Sequence, residues 1–308
     1  MSVDRLASFQ NAQVRDLVWV MAAPNLLAEA HWLIADSECL SWLEHAMPQL
    51  LALEQNPTPL QLWIAQHAPQ RLGPYFEILL SYWIAHLMPA TWFSTNQIVK
   101  SGRIVLGEYD LLWRDTVGAL QHWEASIKLY LQVDSAAGFA GYVGTMTRDR
   151  LDIKVTRLRD KQLQLACTPE GAASLPLPDE AVRARALLKG WLFYPVDAVP
   201  QPADGVSVRH LQGWWCRWGA LVLPQPQTMR WQILPRLAWL TPASTIDATT
   251  LWSSIDFMVH LTEHFSQHRA PVLVAGLVQV GVVWQEHTRG FVVPLDWLQD
   301  INSFNSVV

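Results

Sequence analysis

The sequence predicts a mixed α/β (α+β) protein in three parts. Residues 1–68 form an N-terminal helical cap, residues 69–196 a core, and residues 197–308 a Trp-rich mixed α/β extension. Three observations predict this. Apolar residues recur at helical spacing through the first part, with Val14, Leu17, Val18 and Met21 as its first stripe. The stretch Leu106–Leu131 instead alternates with period two. Hydrophobic residues make up 51% of the chain and charged residues 16%, which suits a packed core and excludes disorder.

In order along the chain, Leu26–Leu33 and Leu40–Leu53 continue the helical spacing after Pro24. Asn56-Pro57-Thr58-Pro59 breaks it, and a short helix follows over Leu60–His67. Pro74 opens a helix over Tyr75–Leu87, since its missing N–H costs little in a first turn. That helix is apolar on most faces and therefore buried, which gives Glu77 a need for a partner or a task. Strands are expected over Thr95–Lys100, Arg103–Arg114 and Leu120–Leu131, with a turn at Ser101-Gly102. In the third of these, Trp123, Ala125, Ile127, Leu129 and Leu131 fall on one face, and His122, Glu124, Ser126, Lys128 and Tyr130 on the other. Glu108 and Asp110 share a face of the second.

Residues 134–147 read as a glycine-bearing loop that matches neither dinucleotide nor Walker spacing. Arg148–Ala166 reads as a helix with two stripes. Leu151, Val155, Leu158 and Gln162 form one, and Arg150, Lys154, Arg157 and Lys161 the other, a row of positive charge suited to tracking a phosphate backbone. Pro169–Pro178 is expected as a loop, Ala186–Pro195 as a fourth strand, and Pro-rich Val196–Gly205 as a boundary. Beyond it, Pro224, Pro226 and Pro235 punctuate a Trp-dense region. A helix over Thr249–His268 then precedes strands at Val272–Trp284 and Gly290–Val293, joined through Glu286-His287-Thr288-Arg289.

Composition bounds the function. The 17 Trp residues favour an aromatic-rich core over a stacking surface. A net charge of −5 excludes whole-molecule attraction to nucleic acid, so any such contact needs a local basic patch. Three widely spaced Cys residues give no disulfide framework or CxxC pair, which suits a reducing cytoplasm. The opening MSVDRLASFQ lacks the layout of a signal peptide, and the apolar run Val272–Trp284 is too short to span a bilayer. A cytoplasmic protein with no membrane association is expected. The sequence carries no signal for an oligomeric state.

The order helix, three strands, helix, strand from Gly73 to Pro195 resembles the PD-(D/E)XK nuclease fold, a restriction-endonuclease-like αβββαβ core. The residues that carry the resemblance are Asp110 in GEYDLLW, Glu124 and Lys128 in HWEASIKLYL, and Glu77 in GPYFEILL. It implies that Asp110 and Glu124 bind Mg²⁺ with Glu77 in support, and that Lys128 stands by the attacked phosphate. Arg150, Lys154, Arg157 and Lys161 would hold a nucleic-acid backbone. The chemistry agrees: clustered carboxylates hold Mg²⁺ through hard oxygens, and the ion lowers the pKa of bound water. In that family one residue separates the Glu from the Lys. Here three do, with Ser126 midway, which doubles the Cα separation to about 13 Å. The reading is a metal-dependent nuclease acting on DNA or RNA. The alternative is a nuclease fold without cleavage, serving as a nucleic-acid-binding or protein-interaction module.

Nearly the whole chain also resembles a bacterial family catalogued as domain of unknown function 1853. RLGPYFEILLSYW, LGEYDLLW, HWEASIKLYL, RDRLDIKVTRL, LLKGWLFYP, RWQILPRLAWLTP and RGFVVPLDW carry that resemblance. A rival chemistry lies in His260-Leu261-Thr262-Glu263-His264, an HxxEH pattern of zinc hydrolases, with His268 one turn further on.

Overall fold

The computed structural model describes Leu6 and residues 8–177, 180–221 and 228–297. Pro224, Pro226, the end of the Pro169–Pro178 segment and the first five residues lie outside the described residues. The described chain is a mixed α/β structure with seven α-helices and a ten-stranded mixed sheet. It divides into two compact units, Met1–Lys128 with Asp152–Gly190 and Gly205–His210, and Leu129–Leu151 with Trp191–Asp204 and Leu211–Val308.

The first unit opens with helices α1 (Ala12–Ala22), α2 (Asp36–Gln55), α3 (Thr58–His67) and α4 (Leu72–Tyr82), the last running on into a π-helical turn at Trp83–Leu87. Their packing satisfies polar atoms as well as burying apolar ones. Trp83 Nε1 donates to the Leu17 carbonyl at 2.7 Å, and the Tyr75 hydroxyl donates to buried Asp16 at 2.9 Å. Leu26–Leu33 is not helical. Its backbone bridges at Asn25–Lys189, Leu27–Val206 and Leu33–Ala186, so tertiary pairing overrides the helical spacing.

Strands β1 (Trp92–Ser101), β2 (Ile104–Arg114) and β3 (Leu120–Gln132) follow as an antiparallel meander. One face of β3 packs on aromatics: Trp123 lies 5.2 Å from Trp42 of α2 and 5.1 Å from Trp113. The opposite face is buried too, with His122 and Glu124 both 0% exposed. It is therefore no solvated row of charges.

After the short strand β4 (Tyr142–Gly144), helix α5 spans only Leu151–Arg157. The chain continues as a π-helical turn, Leu158–Gln162, rather than as one helix to Ala166. The Pro169–Pro178 segment holds helix α6 (Pro169–Ala173), because Thr168 caps it by accepting from the Gly171 N–H. Strand β5 (Val182–Pro195) lies beside β3. The two backbones come so close that a Cβ on Gly190, at φ +144°, would stand 1.7 Å from the Lys128 carbonyl oxygen.

In the second unit the end of β5 pairs parallel with β6 (Leu211–Arg217), and β6 pairs parallel with β10 (Val283–Val293). β10 pairs antiparallel with β9 (Val272–Val280), and β9 with β7 (Arg230–Ile233); β8 (Ser244–Thr245) adds a short edge on β10. Helix α7 (Ser254–Gln267) covers this sheet through Phe257 and Leu261, and Trp231 stacks on Phe257 at 5.4 Å. The β9–β10 turn falls at Gly281, φ +63°, and not at Glu286–Arg289 as the charged tetrapeptide suggests. Arg289 instead lies in β10, donates to Glu286 at 2.6 Å and sits 4.0 Å over the Trp191 ring. The two opposite charges satisfy each other, so the pair is enclosed within a strand although the sequence looks loop-like.

Gly190→Ala is expected to cost about 3 kcal/mol or to prevent folding, because the obstacle is backbone and cannot rotate away. Urea denaturation checks this against Gly73→Ala, where a Cβ meets nothing within 4 Å. That control, on α4, is expected to be neutral or stabilising by up to about 1 kcal/mol.

Candidate functional site

The first unit gathers carboxylates from three elements. Glu77 comes from the middle of α4, Asp110 from β2 and Glu124 from β3. An irregularity in β2 places Asp110. The β2–β3 ladder runs only from Arg114–Leu120 to Leu111–Trp123. Beyond it, an Asp110 Oδ accepts the Ala125 N–H at 2.9 Å, so the side chain takes over from the missing backbone partner. Tyr109 and Leu112 share one apolar cluster although they are three residues apart, so the period-two alternation breaks between them. Opposite Asp110 in the β1 register stands Asn96, a non-glycine residue at φ +53°, whose amide donates to Glu77 at 3.5 Å. Left-handed backbone inside a strand stores strain, and such strain concentrates at functional sites.

Glu124 is fully buried at the centre of this group. Its Oε1 accepts from His122 Nε2 at 2.9 Å, and its Oε2 accepts from Gln162 Nε2. The Gln162 carbonyl in turn accepts from Lys154 Nζ at 3.1 Å. One amide thus ties the lysine of α5 to the glutamate of β3. Burial lowers the pKa of His122 to about 4, so this pair is a neutral hydrogen bond rather than a salt bridge. The proton then sits on Nε2, and Nδ1 has no hydrogen-bond partner among the described residues.

Burial raises all three carboxyls to about 7. For Glu77 the Asp110 charge adds to burial, and for Asp110 the Glu124 charge does. Asp110 and Glu124 also share a hydrogen bond, which stabilises the proton on Asp110 and the charge on Glu124. Lys154 is depressed by burial and by the Lys128 charge, against the pull of Asp110 and Glu124. Lys154 therefore stands near the acids, and Lys128 near Lys154.

Asp110, Glu124 and Glu77 are thus brought together with Lys154, while Lys128 acts on Lys154 and Ser126 is buried between Glu124 and Lys128 in β3. The basic row divides. Lys154 turns half-buried to the acids, Arg157 ends α5 exposed, and Lys161 is exposed on the π-helical turn. Arg150 belongs to the second unit, where its backbone bridges Val143. Sequence reasoning gave no role to His122, Asn96 or Gln162. Gln162 left a trace as a polar residue closing the apolar stripe of its helix, and His122 as a neighbour of Glu124 on one strand face.

Three carboxylates with one ammonium close by are a hard oxygen donor set, and their chemistry suits a divalent cation. As placed, both Glu124 oxygens are engaged, and among the described residues no group of three or more His, Cys, Asp or Glu is arranged to hold a metal ion. The HxxEH histidines lie on α7, where His260 packs 4.5 Å from Trp252 and His264 stacks 4.7 Å from His268; they form no such group either. Among the described residues no helix is long and apolar enough to cross a membrane.

No curated protein and no solved structure matches this chain. A family model does match, over residues 15–293, and the chain belongs to the family described as domain of unknown function (DUF1853).

Proposed function

We propose that the chain is a metal-dependent nuclease acting on DNA or RNA, with the acid cluster of the first unit as its centre on a restriction-endonuclease-like core. The observation that carries this reading is the convergence of Glu77, Asp110 and Glu124 from three elements, all raised to about 7, beside a depressed Lys154. Perturbed groups of opposite sign in one place are a mark of functional sites.

Asp110 and Glu124 would hold Mg²⁺ with Glu77 in support, and the ion would supply an acidified water and offset charge on the phosphate. The chain's own residues do the rest. Gln162 fixes one Glu124 oxygen, and His122, neutral near pH 7, fixes the other. Asn96 orients Glu77. Lys154, held through Gln162, presents its ammonium to the developing phosphate charge, a part that the nuclease resemblance gave to Lys128. Exposed Arg157 and Lys161 contribute attraction for a nucleic-acid backbone.

The second reading keeps the core and removes cleavage, leaving a nucleic-acid-binding or protein-interaction module. The engagement of both Glu124 oxygens favours it. A cleavage assay on single-stranded, double-stranded and branched DNA and RNA separates the two. Mg²⁺-dependent cleavage is expected, lowered about a hundredfold or more by Asp110→Asn, by Glu124→Gln and by Lys154→Ala. Lys128→Ala is expected to cost less than Lys154→Ala. Wild-type protein that cleaves none of these substrates supports the second reading.

The pH dependence has a definite sign. Carboxyls raised to about 7 in the fold bind protons that the unfolded chain has already released. Their contribution to stability is full below about pH 4 and lost as pH rises to about 7. Thermal melts from pH 5 to pH 8 are expected to fall less steeply for Asp110→Asn than for wild type. Mg²⁺ is expected to raise the wild-type Tm at pH 8 and leave it unchanged at pH 5, because a cation binds the ionised form. A Mg²⁺ response equal at both pH values contradicts this assignment.

A further inference from the structure

Elsewhere in the first unit, a cavity of about 390 Å³ lies against the start of α2 and strand β5. None of the acid-cluster residues lines it. Its walls carry three guanidinium groups, Arg183, Arg185 and Arg209, together with His31. Two of its carboxylates are committed. Asp36 accepts from Asn25, from fully buried Lys189 at 3.3 Å and from Arg209 at 3.1 Å, and Glu38 accepts twice from Arg185 Nη1. Glu29 is exposed at the rim. Three guanidinium groups thus share the lining with three carboxylates, while fully buried Lys189 donates to Asp36 and to the Ala23 carbonyl.

Arg185 is the informative member. It is 5% exposed, and its Nε has no hydrogen-bond partner among the described residues. A guanidinium fork is built to donate two parallel hydrogen bonds, and a buried N–H without an acceptor is unusual. Arg183 stands exposed on the same wall, two residues away on β5 and therefore on the same side of the strand.

We propose that this cavity binds a small phosphate monoester, its phosphate held by Arg183 and Arg185 and completed by Arg209. A dianion with three equivalent oxygens can engage several forks at once, whereas a single carboxylate is satisfied by one. The volume leaves room for an organic group beyond the phosphate. This inference is independent of the nuclease reading, since it uses no residue of the acid cluster.

Calorimetric titration of the full chain, in buffer free of phosphate and sulfate, tests it with AMP, ribose 5-phosphate, inorganic phosphate and citrate. Saturable binding of at least one monoester with Kd below about 1 mM is expected. Arg183→Ala, an exposed change that leaves the buried pairs intact, is expected to weaken it about tenfold or more. Arg185→Lys keeps the charge beside Glu38 but removes the fork and is expected to weaken it as well. Arg103→Ala, which removes one charge away from the cavity, is expected to leave it unchanged. No monoester binding below about 1 mM overturns the proposal, and so does binding indifferent to Arg183→Ala. Citrate binding as tightly as the monoesters overturns the phosphate assignment.

Discussion

The burial of Glu124 is the constraint around which the first unit is arranged. A carboxylate with 0% exposure at the centre of a strand loses the water that would stabilise its charge. The fold answers with one donor for each oxygen, from His122 and Gln162, and with a carboxyl proton shared with Asp110. Each answer imposes a further demand. Asp110 must leave the regular ladder to reach Ala125 and Glu124, and the alternation of β2 breaks there. The facing residue in β1 must adopt a backbone that suits few side chains, and Asn is among those few. His122 must remain neutral, since a second buried charge of its own would need its own partner.

The π-helical turn after α5 belongs to the same arrangement. Lys154 and Gln162 are eight residues apart, about 12 Å along a regular helix. They nevertheless meet at 3.1 Å, because the two long side chains converge and the wider turn at Leu158–Gln162 changes the direction in which Gln162 projects. The turn thus belongs to the placement of Gln162, which meets both Lys154 and Glu124.

This explains what was legible in the sequence. Helices α2, α3 and α4 and the β1–β2–β3 meander follow from period and from turn residues, which act over a few positions, so they fall close to where they are expected. The grouping of Glu77, Asp110 and Glu124 was implied by the resemblance to a nuclease core; alternation alone put Glu108 with Asp110, and Glu124 with Ser126 and Lys128, on strand faces. The contributions of Asn96, Gln162 and Lys154 depend on departures from period: a left-handed residue, a broken alternation and a π-helical turn. Periodicity cannot register its own interruption. The same limit put Glu286–Arg289 in a loop, since two charges look exposed until each is seen to satisfy the other, and it made a helix of Leu26–Leu33, whose structure is set by pairing with distant strands.

The energetics bear on the choice between an active site and a retired one. One buried and two half-buried carboxyls raised to about 7 beside a depressed lysine form an unfavourable arrangement at neutral pH, because each ionisation is opposed by desolvation or by a neighbour. A scaffold gains nothing from it: apolar residues of similar volume in the place of buried ionic groups are often neutral or stabilising. Nor do surface charges explain the cluster, since His122 and Glu124 are wholly enclosed. In the proposed nuclease the cost would be offset by a divalent cation, which binds the ionised form on hard oxygen donors. The hydrogen bonds of Gln162 and His122 hold the Glu124 oxygens in position, and in the proposed nuclease the cation would displace the proton that Asp110 shares with Glu124.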